Sequence, residues 1–143
     1  MEGIEDIQEE IIGEFEILGS DKESTIYYIM ELGDQLTDFP EEEKIEENII
    51  KGCQSKVWLT TSFKEGRVNF LADSNTDITK GLISLLIRVL SGKAPGEIIN
   101  ADLYFIDKIG MGNIIGSQRS NGLAAMIKQM KLFAIAYQAK TNA

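Results

Sequence analysis

Apolar residues open the chain in a helical rhythm. Ile4, Ile7, Ile11, Phe15 and Leu18 recur at steps of three and four while acidic residues fill the opposite face, which predicts an amphipathic helix over 4–18. Gly19-Ser20-Asp21 ends that helix and starts another, in which residues 22–36 place Ile26, Met30, Gly33 and Leu36 on one side. Asp38-Phe39-Pro40 closes it, so two antiparallel helices are expected. From Ile49 the period drops to two. Val57, Leu59, Thr61 and Phe63 alternate with Lys56, Trp58, Thr60 and Ser62, Lys64-Glu65-Gly66 turns the chain, and Val68, Phe70 and Ala72 resume the alternation. This is a β-hairpin, with Gly66 able to take the positive φ of a short turn. Residues 48–51 are a candidate third strand.

The next segment, 76–91, is apolar on most sides through Ile78, Leu82, Ile83, Leu85, Leu86, Ile87, Val89 and Leu90, which marks a buried central helix. Gly92 is placed to cap its C-terminus and Pro95 lies beyond. A broken region follows, with a short helical piece over 103–109. The last helix, 120–137, carries a stripe of Leu123, Met126, Ile127, Met130, Phe133, Ala134 and Tyr137, whose methionines are core packing. With no internal repeat, linker or low-complexity segment, residues 1–143 read as one domain of mixed α/β (α+β) class. The expected architecture is a small antiparallel three-stranded sheet packed against helices.

Composition narrows the function classes. A chain of 143 residues suffices for one core, with roughly two-thirds of the unfolded surface buried on folding. The longest apolar stretch, 82–90, is interrupted by Ser84 and Arg88 and is too short to span a bilayer. The start, Met1-Glu2-Gly3-Ile4-Glu5-Asp6, lacks the basic and apolar segments of a signal peptide, so a cytoplasmic location is expected. A net charge of −9 without any run of Lys or Arg disfavours nucleic acid and anionic membranes as partners and favours proteins. The acidic stretch Glu41-Glu42-Glu43 with Glu46 and Glu47 reads first as solvated surface, with a docking site for a basic partner as the alternative. Gly110, Gly112 and Gly116 do not follow the dinucleotide-binding spacing and no strand precedes them, so they read as a flexible connection.

The candidate chemistry rests on one residue. The chain has a single cysteine, Cys53, and no histidine. That excludes a Cys-His nucleophile pair, imidazole metal ligands, an internal disulfide and a CxxC motif. A free cysteine is most often a small buried hydrophobe. Cys53, however, follows Gly52 at the mouth of the hairpin in a polar segment, Lys51-Gly52-Cys53-Gln54-Ser55-Lys56, which suits a thiol carried on a loop. An ordinary thiol, with a pKa near about 8.5, is only a few per cent ionised at neutral pH. Lys51, Lys56, an arginine or backbone N–H groups are candidates to lower that value, and a shift to about 7 would require roughly 2 kcal/mol.

Four ordered segments give the chain a specific resemblance. Tyr28-Ile29-Met30-Glu31-Leu32-Gly33 with Leu36 and Pro40, then Gly52-Cys53-Gln54-Ser55-Lys56-Val57-Trp58, form the first two. Ala72-Asp73-Ser74 with Ile78-Thr79-Lys80-Gly81-Leu82, and Ser117-Gln118-Arg119-Ser120-Asn121-Gly122-Leu123 with Met126, form the others. Together they resemble the SufE family of sulfur acceptors, the partners of cysteine desulfurases in iron–sulfur cluster assembly, over nearly the whole length. One departure is Ser117-Gln118-Arg119, where many relatives have Pro-Ser-Arg. The arginine is kept.

The resemblance implies that the Cys53 thiolate attacks the outer sulfur of a persulfide on a desulfurase and leaves carrying it, stimulates that enzyme, and passes the sulfur to a downstream iron–sulfur scaffold. Pyridoxal phosphate belongs to the desulfurase, and no cofactor is expected on this chain. It implies for Arg119 a place near the cysteine loop, orienting it or meeting the desulfurase, against the simpler reading of an arginine satisfied by carbonyls or carboxylates. Asp73 is expected to cap the central helix, with holding of the cysteine loop as the second role. Gly52, Gln54 and Ser55 shape the loop, Gly52 suggests a loop that shields the sulfur until docking, and Lys80 is a candidate for facing the partner. The family is also similar in fold to scaffolds of the IscU type, which use several cysteines. A shared cluster between two chains, a homodimer, and an activating binding module with Cys53 incidental are the alternatives.

Overall fold

The computed structural model describes residues 2–19 and 21–141. Helix α1 (Ile4–Ile17) and helix α2 (Lys22–Gly33) precede a hairpin of β1 (Val57–Lys64) and β2 (Arg67–Ser74). Helices α3 (Asp77–Leu90), α4 (Pro95–Ile99), α5 (Phe105–Ile109) and α6 (Met111–Thr141) complete the chain. Met1, part of the N-terminal reading, and Ser20, in the break between α1 and α2, lie outside the described residues. Gly19 there has a φ of +66°, and Asp21 caps α2 by accepting from the Glu23 N–H at 3.2 Å.

The core forms around α3. Ile83, Leu86, Val89 and Leu90 are fully buried, and the helix packs against α1, α2, β2 and α6. The crossing with α2 is made by glycines: a Cβ on Gly33 would come within 2.9 Å of the Gly81 nitrogen, so the two backbones nearly touch. From α1, the fully buried Gln8 donates to the Asp102 carbonyl at 3.0 Å and accepts from the Phe105 N–H at 3.1 Å, which ties α1 to the α4–α5 connection. Glu14 accepts a two-pronged contact from Arg88 at 2.9 and 2.6 Å and a third bond from Tyr28, joining α1, α2 and α3 at the half-buried edge.

Several expectations are corrected. The sheet has two strands, not three. Residues 48–51 contribute one bridge, Ile49 to Trp58, with the Ile50 N–H donating to the Val57 carbonyl at 2.8 Å. A 3-10 turn at Glu46–Asn48 and the left-handed Gly52 (φ +98°) leave no room for a longer ladder. Helix α2 ends at Gly33 rather than 36, and its fully buried face is Thr25, Ile29, Leu32 and Gly33, with Ile26, Met30 and Leu36 only half-buried beside it. Gly92 has a left-handed φ of +78°, but its N–H reaches the Val68 carbonyl of β2 at 2.8 Å rather than capping α3. The "broken region" contains α4, started by Pro95 at its first turn and by the Ala94 N–H donating to Glu97 at 3.1 Å. The glycines 110–116 are not a loop: a turn of helix runs from Met111, α6 breaks at Gly116 (φ +85°), and it continues to Thr141.

The hairpin itself agrees with its pattern. Its register pairs Lys64 with Arg67 across a two-residue turn in which Glu65 and Gly66 both have positive φ. Val57, Leu59, Val68, Phe70 and Ala72 are buried on one face. The pattern weakens toward the turn, where Phe63 stacks on Tyr137 at a centroid distance of 5.0 Å instead of entering the core. Among the described residues, no helix is long and apolar enough to cross a membrane.

Candidate functional site

Cys53 sits at the end of the hairpin opposite its turn, on the loop that enters β1. Gly52 bends the chain there with its left-handed φ and rests on α6: a Cβ at this position would meet the Ala125 Cβ at 3.2 Å. One turn back along α6, Gly122 leaves space for the thiol. Its missing side chain would lie 3.5 Å from the Cys53 sulfur, and its carbonyl accepts a weak bond from the thiol at 3.5 Å. Cys53 is half-buried as a result.

Three hydroxyls hold the other end of the loop. The Thr79 hydroxyl donates to the Ser55 oxygen at 3.3 Å, and the Ser55 and Thr76 hydroxyls share a hydrogen bond at 2.9 Å. Thr76 occupies the N-cap position of α3 but makes no capping bond with its side chain. At the base of the loop the Lys56 N–H donates to the Asn75 side chain at 3.0 Å, and the Ser74 hydroxyl donates to the Lys56 carbonyl at 2.9 Å. Between the loop, the start of α3 and α6 lies a cavity of about 110 Å³, lined by Cys53 and Ser55, by Thr79 and Leu82, and by Arg119 and Met126 among others.

The expected site residues divide into two groups. Gly52, Gln54, Ser55 and Arg119 gather with Cys53: Gln54 and Arg119 are exposed on the cavity wall, and Arg119 makes one long bond, 3.5 Å, to the Ile115 carbonyl of its own helix. Asp73 and Lys80 do not. The Asp73 carboxylate neither caps α3 nor accepts from the cysteine loop. It pairs with Lys44 at 3.0 Å and Lys80 at 3.4 Å, and these cations, with the neighbouring Ser74 N–H, hold its carboxyl below the usual range against the opposing effect of burial. Lys80 is half-buried in that pairing. Lys44 also lies over the Trp58 ring, 5.4 Å from its centroid, so the cluster braces the outer face of the hairpin. In the acidic stretch Glu41 pairs with Lys44 at 2.8 Å and the Glu43 carboxylate accepts from the Asn48 side chain at 3.2 Å, while all five glutamates are exposed.

The thiol's environment reverses one expectation. Burial pushes the Cys53 thiol up, and no cation or N–H cluster acts on it to bring it down. Lys51 and Lys56 are adjacent in sequence but point to solvent as exposed residues. The resting thiol is therefore protonated at neutral pH. Its alkylation rate by iodoacetamide is expected to rise only as pH climbs beyond the range of an ordinary exposed thiol, the direction set by the raised value. A rate–pH profile that overlays that of a free thiol would refute this. Thr76, Thr79 and Gly122 were not singled out for the site by sequence reading. Thr76 and Thr79 follow helix patterning, and only the contact with Cys53 distinguishes Gly122 from other helical glycines.

The class so defined is a mixed α+β fold with a small hairpin laid on helices and one loop-borne thiol above a small cavity. Among the described residues, no three His, Cys, Asp or Glu side chains are placed to hold a metal ion. The model of the SufE family, described as an Fe-S metabolism associated domain, matches residues 9–134. A SufE-like protein of Rhizobium etli is 38% identical over 128 residues, covering 86% of each chain. A SufE-like protein of Synechocystis is 37% identical over 106 residues, covering 74% of this chain and 67% of its own. The solution structure of a hypothetical protein from Thermus thermophilus superposes with a TM-score of 0.75 over 93% of this chain and 96% of its own; at 16% identity it shows the same fold. The chain belongs to the SufE family, whose domain is associated with iron–sulfur metabolism.

Proposed function

We propose that Cys53 is a sulfur acceptor and carrier, charged by the persulfide of a pyridoxal-phosphate-dependent cysteine desulfurase and discharged to an iron–sulfur scaffold. The observation that carries this reading is the lone thiol on a pinned loop above a cavity, in a chain of the SufE family. In the transfer, the Cys53 thiolate attacks the outer sulfur of the donor persulfide. The donor's S–S bond breaks, a new S–S bond forms on Cys53, and the donor cysteine leaves as a thiolate, so no external oxidant or reductant is needed. The absence of a second cysteine prevents an internal disulfide from expelling the cargo.

The raised thiol gives the resting state a purpose. A protonated, half-buried sulfur is a poor nucleophile toward cellular electrophiles. Freeing the loop from Gly122 and from the three hydroxyls exposes the sulfur to water and removes the burial that suppresses its ionisation. Docking of the desulfurase supplies that release, and the cavity of about 110 Å³ has room for one added sulfur when the loop returns. The test is intact mass after incubation with desulfurase and cysteine. A gain of one sulfur atom, removed by dithiothreitol, is the expected result; an unchanged mass while cysteine is being consumed would overturn the acceptor reading.

A further inference from the structure

Thr79 uses its hydroxyl differently from the other buried polar side chains. Among the described residues these are Gln8, Thr25, Thr79 and Lys93, and Gln8, Thr25 and Lys93 are all satisfied by main-chain groups. Thr25, Ser120 and Thr141 show the usual course for a helical hydroxyl, donating to the carbonyl four residues back. Thr79 is only 6% exposed, yet its one bond is a long one, 3.3 Å, to the side chain of Ser55. Both residues line the cavity that holds Cys53.

The proton count of this cluster points to a further acceptor. Ser55, Thr76 and Thr79 carry one hydroxyl proton each. Thr79 donates to Ser55, and the bond between Ser55 and Thr76 uses one proton of that pair, so one of the pair's two protons is left over. All three residues line the cavity, whose wall also includes the buried apolar side chains of Ile78, Leu82 and Met126. A hydroxyl cluster with a proton to give, set beside an apolar wall, suits a small anion.

The cargo of Cys53 is such an anion. A persulfide is a stronger acid than the thiol it is built on, because the inner sulfur withdraws electron density, and closing its charged form into the cavity without a donor is costly. Resting on the acceptor reading of Cys53, we infer that the Ser55, Thr76 and Thr79 hydroxyls form the seat of the outer persulfide sulfur, with Thr79 as the buried donor that positions it. The Thr79 proton turns from the Ser55 oxygen to the sulfur, and Ser55 keeps its bond to Thr76. Thr79 also lies in the first turn of α3, the helix end where partial positive charge favours an anion, and Thr76 makes no side-chain bond that caps that end. The loop is thereby held more tightly when loaded than when empty, which shields the cargo in transit.

The test is a titration of the loaded protein. Wild type, Thr79→Val and Thr79→Ser are charged with desulfurase and cysteine, freed of the desulfurase, and checked by intact mass for one added sulfur. Ionisation of the persulfide is then followed by the near-ultraviolet absorbance of its anion as pH is raised. Of the charged groups nearby, Arg119 lines the cavity, Lys51, Lys56 and Asp77 are exposed, and Lys80 is paired with Asp73. Salt at about 0.5 M screens these exposed charges and leaves a buried hydrogen bond in place. Valine keeps the shape of threonine and removes the hydroxyl. Its expected midpoint lies about one pH unit above wild type, a tenfold change in the ionisation constant, because a hydrogen bond to the charged form is lost. Thr79→Ser, which keeps the donor, is expected to stay within about 0.3 of wild type. If Thr79 only pinned the loop, valine would let water reach the persulfide and move the midpoint down instead. A midpoint that falls or stays put in Thr79→Val overturns the inference, as does a serine variant that shifts as far as the valine one. A protein that gains no sulfur fails the acceptor reading itself, which the mass reports before any titration begins.

Discussion

Gly81→Ala is expected to destabilise the protein by about 3 kcal/mol or more, read as a loss of roughly 10 °C in the thermal midpoint. A methyl group at this position would fall within the Ile29 carbonyl oxygen and come 2.6 Å from its carbon and 2.7 Å from Ile29 Cγ2. Two of those atoms are backbone of α2, so relief requires the helices to separate. Separation then opens a buried seam, where Ile29 and Ile83 are fully excluded from water. Gly13→Ala is the matched control. It lies within α1 with nothing within 4 Å of the added carbon, and the substitution is expected to stabilise by about 0.5–1 kcal/mol through helix propensity. Equal midpoints for the two variants would mean that the α2–α3 crossing is not as close as described.

The same pair of glycines shows what a linear pattern carries and what it omits. The hydrophobic period located α1, α3, the hairpin and most of α6, because each buries one face or all of itself against neighbours and the apolar spacing records that directly. It did not locate the crossing at Gly33 and Gly81, since a glycine chosen for close approach looks the same in sequence as one tolerated in a helix. The burial of Gln8 is likewise silent: its two bonds run to Asp102 and Phe105, far along the chain. Helix α4, of five residues, is shorter than the window in which periodicity can be seen.

At the site, the identity of the loop and its thiol was legible, while its electrostatics were not. Lys51 and Lys56 are neighbours of Cys53 in sequence, but a lysine two or three residues along a turning loop points its ammonium into water. Burial against Gly122, sixty-nine positions away, acts on the sulfur instead. Asp73 illustrates the same limit. Its position ahead of α3 suggests a cap, yet as the strand partner of Trp58 it faces outward, where Lys44 and Lys80 take the carboxylate. The resemblance placed Arg119 near the loop, and the fold puts it on the cavity wall.

Cys53→Ser is expected to abolish sulfur acceptance completely while leaving the fold intact. Serine is smaller by the difference between oxygen and sulfur, and its hydroxyl has the Gly122 carbonyl as a ready acceptor, so the stability cost should stay below about 1 kcal/mol. Thermal midpoint and desulfurase binding should therefore match wild type. The distinguishing readout is turnover of the desulfurase with cysteine in excess. If Cys53 removes sulfur from the donor, regenerating its thiolate for the next cycle, the serine variant gives no stimulation even at saturating concentration, because an alkoxide-forming hydroxyl cannot take the persulfide sulfur near neutral pH. An activating module that works by binding alone would stimulate with or without the sulfur atom. Full stimulation by a folded, tightly bound Cys53→Ser protein would thus assign the function to binding alone and leave the thiol without a catalytic part.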